Sequence, residues 1–133
     1  MKTVFSRVLV LAAATALSSS LSLAGEKGLM HCFAFTEIAD ASEADWDAWF
    51  EATDALPDKI SGLENVWYGK LRRPLRQYSR DGKESYRQWG VCMQFTGAAA
   101  LEKYAEHPAH DDWAEVYGKV RVPGTTTYDI LGQ

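Results

Sequence analysis

With 133 residues and a mass of 14.8 kDa, the chain has room for one domain and one core, not for a multi-domain machine. Hydrophobic residues at 47% and charged residues at 24% are the proportions of a globular protein and exclude wholesale disorder. Fourteen Lys and Arg against 18 Asp and Glu, a net charge of −4, argue against nucleic acid as the main partner.

At the N-terminus Lys2 and Arg7 precede an apolar run from Val8 to Leu17, and a Ser-rich stretch follows that ends Ser22-Leu23-Ala24. This order of charge, short apolar run and small residues predicts a cleavable secretory signal over residues 1–24 and a domain over 25–133. The run is too short to span a bilayer, and Ser18-Ser19-Ser20 interrupts it. Once the leader is removed no transmembrane anchor is expected, and the destination is the periplasm or the exterior. Without Lys2 and Arg7, 12 basic against 18 acidic residues leave a mature charge of −6. Both cysteines, Cys32 and Cys92, survive the cut and meet an oxidising compartment.

Leu29–Glu37, rich in Phe and bounded by Gly28 and Asp40, predicts a strand. Period-two alternation places His31, Phe33 and Phe35 on one face and Cys32 and Ala34 on the other. Ser42 with Asp45 three residues on resembles a capping box and opens a helix to about Leu56. Trp46, Trp49, Phe50 and Thr53 fall on its inner stripe, with Asp47, Glu51, Asp54 and Asp58 on a solvated face. Pro57 and Gly62 end it, and Leu63–Leu71 predicts a second strand. Arg72–Ser85, with Pro74 and Asp81-Gly82, reads as a loop. Tyr86–Thr96 is a third strand with Trp89, Val91, Met93 and Phe95 on one face and Gly90 and Cys92 on the other. Helix signals return at Gly97–Glu106 and restart at His107-Pro108, with Pro at the first helical position and His110, Trp113 and Tyr117 on one side. Thr125–Leu131 is a last β-prone segment.

The order β-α-β-β-α-β predicts an α+β, ferredoxin-like subunit: a four-stranded antiparallel sheet covered by helices on one face. Its other face, carrying Cys32, Ala34, Val66 or Trp67, Gly90 and Cys92, would stay uncovered, and a homodimer is expected to cover it. Cys32 lies early in its strand and Cys92 late in its own, a register that suits a cross-strand disulfide. Two reduced thiols buried at the dimer interface fit the same pattern.

Chemically capable side chains are densest at Tyr104-Ala105-Glu106-His107-Pro108-Ala109-His110. The break at Pro108 turns His110 back toward Tyr104, where phenol and imidazole can act as hydrogen-bond anchor and general base, or simply satisfy each other at a helix junction. His31 among phenylalanines reads as a core histidine unless the space between sheet and helices is partly open. His107-x-x-His110 lacks the i, i+4 spacing of a helical zinc pair, and Pro108 breaks the helix between them, so no metal is expected. P-loop, Rossmann and haem-attachment signatures are absent, and no cofactor is expected.

Tyr104-x-x-His107-Pro108-x-His110, His31 in the first strand, Leu56-Pro57-x-x-x-x-Gly62 and Val66-Trp67-Tyr68-Gly69-Lys70 together resemble the stress-responsive dimeric α/β-barrel family over residues 29–131. The resemblance implies ferredoxin-like subunits that pair through their sheets into a barrel. Most members have no assigned reaction, and one is a plant polyketide cyclase that closes a ring without cofactor. By that resemblance Tyr104, His110 and His31 work at the substrate, and Trp49 and Phe50 line its pocket. Where the cyclase type carries a further pocket His on its third strand, this chain has Trp89.

The sequence therefore predicts an exported dimer that binds a small, largely apolar molecule in a helix–sheet cleft walled by Phe33, Phe35, Trp49, Phe50 and Trp89. Tyr104, His110 and His31 are its polar anchors. One alternative is a cofactor-free cyclase or isomerase in which His110 removes a proton and Tyr104 holds the oxyanion. Another is a non-catalytic stress or envelope protein docking an anionic partner through residues 70–87, where seven basic against two acidic side chains give +5. The simpler expectation for those charges is pairing with the acidic helix face of the same or the partner subunit.

Overall fold

The computed structural model describes residues 27–132; the leader expected over residues 1–24 lies outside them. The elements run β1 (Leu29–Glu37), α1 (Glu43–Asp54), α2 (Leu56–Lys59), β2 (Leu63–Tyr78), β3 (Glu84–Phe95), α3 (Ala98–Ala105), α4 (Pro108–Val120) and β4 (Arg121–Leu131). The four strands form one antiparallel sheet in the order β2-β3-β1-β4, the ferredoxin-like arrangement.

Local chemistry accounts for the element ends. Ser42 caps α1: its Oγ accepts the Asp45 N–H at 3.1 Å and donates to the Asp45 carboxylate at 2.6 Å. Pro108 opens α4 where its missing N–H costs nothing, and His107 Nδ1 accepts the Ala109 N–H at 3.1 Å as the cap. Gly62, at φ +89°, stands where a Cβ would come 2.6 Å from Ala100 Cβ, so only glycine lets α3 close on the start of β2.

One side of the sheet packs on the helices. Phe33, Phe35, Val91, Met93 and Phe95 meet Trp49, Leu56, Trp113, Tyr117 and Val120 in a single core. On the other side Cys32 and Cys92 face each other directly across β1 and β3 and form a disulfide, their Cα atoms 4.1 Å apart. Trp67 pairs in register with Cys92 and Tyr128 with Cys32, so the bond lies in a row with two exposed aromatics. That row and Ile130 leave a broad apolar surface uncovered, which includes a trough of about 390 Å³ between Trp67, Leu71, Leu75, Gly90 and Tyr128.

The expected loop over 72–85 is a strand pair. Leu75, Arg76, Gln77 and Tyr78 pair with Arg87, Tyr86, Ser85 and Glu84, and only Ser79–Lys83 turns. Pro74 is tolerated because β2 is an edge strand and the register shifts between Lys70 and Leu75, so no ladder bond needs its absent N–H. This hairpin extends beyond the last β1 pair, Phe35 with Trp89. Its ion pairs are Lys70 with Glu37 and Arg76 with Glu84, both at 3.6 Å. Among the described residues none reaches the acidic face of α1, so the expected pairing within the subunit is not formed. β4 also starts four residues earlier than expected, Arg121 pairing with Glu37 across a bulge that accommodates Pro123 and Gly124.

Candidate functional site

A cleft of about 180 Å³ opens between β1, β4 and α4, lined by His31, Phe33, Tyr104, His110, Trp113, Tyr117, Thr125 and Thr127. Three separate elements bring its polar groups together. Alternation on β1 turns His31 inward; the last turn of α3 presents Tyr104; the first turn of α4, set by the His107 cap, presents His110. The Tyr104 and His110 rings meet edge to face at 4.6 Å, and His31 lies 6.4 Å from Tyr104.

The three groups differ in electrostatic setting. Tyr104 is buried, and desolvation pushes its phenol well above the ordinary value, so it stays protonated as a donor. Burial lowers the basicity of His110, which the nearby Asp111 carboxylate partly offsets and His31 reinforces. His110 Nδ1 is buried without a hydrogen-bond partner among the described residues. His31 Nδ1 lies 2.6 Å from Asp129 Oδ1. The carboxylate accepts, so Nδ1 carries a proton, and in the neutral ring Nε2 is the nitrogen left to accept. His107 faces another task, capping α4 through Nδ1.

The apolar wall is Phe33, Trp113 and Tyr117. Trp113 and Tyr117 stack at 4.7 Å, and Phe33 meets them edge-on at 6.0 and 5.6 Å. Thr53 holds Trp113 in place: its Oγ1 accepts the indole N–H at 2.9 Å and donates to the Trp49 carbonyl at 2.6 Å.

Four of the expected wall residues are elsewhere. Phe35 and Trp49 are fully buried in the core, and the partly buried Phe50 and Trp89 pack against it at the β2 side. Trp89 stacks on Trp46 at 4.6 Å and donates its indole N–H to Glu37 at 2.7 Å. The indole thus closes that end of the helix–sheet space, and only Phe33 of the expected walls reaches the cleft. Sequence reasoning missed Asp129, Thr125 and Thr127. The pairing of His31 with Asp129 in register is what places them, and the alternation of β4 was the one local signal available. Among the described residues no group of three or more His, Cys, Asp or Glu side chains could hold a metal ion.

His110 carries a pH consequence. Its proton affinity in the folded chain is below that of the unfolded chain, near pH 6.5, so the unfolded state binds the proton first as pH falls. Stability should be full above about pH 6.5 and decline below it. In urea unfolding at pH 7.5 and 5.5, His110→Gln is expected to show a smaller acid loss than the native chain. An unchanged loss would mean that His110 is not the group responsible.

The sequence matches no protein-family model and no curated protein. Solved structures are similar in fold. A dimeric ferredoxin-like protein of unknown function from Bacteroides fragilis is 18% identical, with 80% of this chain and 98% of that one covered at a TM-score of 0.59. A DABB-family protein with a ferredoxin-like fold from Mesorhizobium loti is 20% identical over 81% and 99%, at 0.55. The hydroxynitrile lyase of Passiflora edulis is 12% identical over 80% and 94%, at 0.61. The chain has the subunit fold of the dimeric α/β-barrel proteins. At these identities the likeness is one of fold, and the cleft has to be read from its own residues.

Proposed function

We propose that the protein is an exported homodimer that binds a small, largely apolar molecule in the cleft of each subunit. The observation that carries this reading is an open space bounded on one side by stacked aromatics and on the other by Tyr104, His110 and His31. At about 180 Å³ the space suits a single ring rather than a drug-sized ligand. Export is supported by the leader pattern of residues 1–24 and by the Cys32–Cys92 bond, which persists in oxidising compartments. Dimerisation is supported by the apolar outer sheet face and by dimeric proteins of the same fold.

The test uses benzamide as a monocyclic probe. Tyr104→Phe and His110→Ala are expected to weaken its binding about tenfold, read by tryptophan fluorescence, with thermal unfolding of the dimer little changed. If both variants fail to fold, the Tyr104–His110 junction is structural and the reading falls.

A catalytic role is favoured by one observation, the His31–Asp129 contact. It orients the imidazole so that, in the neutral ring, Nε2 is the proton acceptor on the same cleft that holds the Tyr104 donor. Cofactor-free proton transfer next to a carbonyl, as in an isomerase or lyase, needs these two parts, and the same fold carries a lyase in Passiflora edulis. Deuterium exchange at the methyl of acetophenone, slowed by both His31→Gln and Tyr104→Phe, would support it; exchange no faster than buffer would remove it.

A further inference from the structure

Two guanidinium groups stand beside Tyr117 and Thr125, next to the cleft lining rather than part of it, with no counter-ion among the described residues. Arg121 lies over the Tyr117 ring, 4.6 Å from its centroid. Arg87 comes from β3, crosses the end of β1, where its Nη1 donates to Thr36 Oγ1 at 3.0 Å, and reaches β4. There its Nη2 lies 3.7 Å from where a Cβ on Gly124 would stand, beside Thr125 of the cleft lining. Both cations act electrostatically on the Tyr117 hydroxyl, drawing its acidity back against the effect of burial.

Nothing within the described chain neutralises this corner. Neither arginine has an ion pair among the described residues, and Glu37, in register with Arg121, is taken by Lys70 and the Trp89 indole. Arg87 Nε, Arg121 Nε and Tyr117 Oη are each buried without a hydrogen-bond partner. Such groups carry a desolvation cost when left unpaired, and a larger one when charged. Both positive charges bear on the same Tyr117 hydroxyl, so each adds to the other's cost. Retaining both in a half-buried position fits a site whose missing component is an anion.

We propose that this corner is an oxyanion subsite, in which Arg87 and Arg121 hold the carboxylate of a small aromatic acid whose ring lies against Phe33, Trp113 and Tyr117. The assignment rests on the cleft reading above and narrows its ligand to an anionic one. Planar guanidinium forks match a carboxylate geometrically, and an interior of low dielectric strengthens the contact. The acid end of the ligand then sits at the Tyr117 side and leaves its other end toward Tyr104, His110 and His31.

Benzoate and benzamide, nearly equal in shape and different in charge, separate the two ideas. Binding to the intact disulfide-bonded protein is read by tryptophan fluorescence and calorimetry. Benzoate is expected to bind at least tenfold more tightly than benzamide. Arg87→Gln and Arg121→Gln should each remove most of that preference while leaving benzamide affinity within about twofold, which also shows that the variants are folded. Equal affinity for the two probes in the native protein, or an unchanged preference in both variants, overturns the subsite and leaves the cleft reading standing. Binding of neither probe overturns both.

Discussion

Reducing the Cys32–Cys92 bond is expected to lower the free energy of unfolding by about 4 kcal/mol. The bond joins residues 60 apart in sequence, and closing a loop of that length removes roughly 14 cal/mol/K of entropy from the unfolded chain, with measured losses of 2–5 kcal/mol for native bonds in small secreted domains. That is a large share of the roughly 5–15 kcal/mol that holds a domain of this size together. Guanidinium unfolding of the native protein with and without reductant, beside a Cys32→Ala/Cys92→Ala double variant, would measure it. Reductant and the double variant should shift the midpoint alike, and reductant should do nothing further to the variant. A shift under 1 kcal/mol in both would show that the bond contributes little beyond the ladder in which β1 and β3 are already paired.

The elements that sequence reading placed best are those with local chemical signals. Leu29–Glu37 is the strand expected, Ser42 and Asp45 cap α1 as their spacing suggested, and Pro108 begins α4. The strands around Pro74 were missed because proline and a run of arginines look like a loop, and only the edge position of β2 makes them acceptable there. At the site, alternation assigned His31, Phe33, Phe35 and Trp89 to the helix side of the sheet, and all four are there. It could not say which aromatics border a hole and which fill one. Phe35, Trp49, Phe50 and Trp89 fill it, through packing with Trp46 and Tyr68 that no periodicity encodes. Asp129 belongs to the site only because β4 returns 98 residues later beside β1, a long-range register that alternation along β4 alone does not give.

Placing charge on the outer sheet face is expected to split the proposed dimer. Trp67, Tyr128 and Ile130 are 55%, 50% and 57% exposed in the single subunit. They lie on the side of the sheet away from the helices, around the Cys32–Cys92 disulfide, where a second copy of the face would meet them. An interface of standard size covers about 800 Å² per partner, and a carboxylate placed at its centre is desolvated without a partner in each subunit, since the two-fold repeats every change. Trp67→Asp with Ile130→Asp should therefore raise the dimer dissociation constant by at least a hundredfold. Light scattering coupled to size exclusion should show the native protein as a dimer at micromolar concentration and the variant as a monomer. Far-ultraviolet circular dichroism should be unchanged, because neither side chain takes part in the helix-side core. A native protein that elutes as a monomer, or a doubly charged variant that stays dimeric, would sink the sheet-to-sheet assembly. The cleft would not share that fate, because His31, Tyr104, His110 and the stacked pair Trp113 and Tyr117 lie on the opposite side of the sheet within one chain. Benzoate binding by the monomeric variant would show that each subunit carries its own site, with the dimer serving to cover apolar surface.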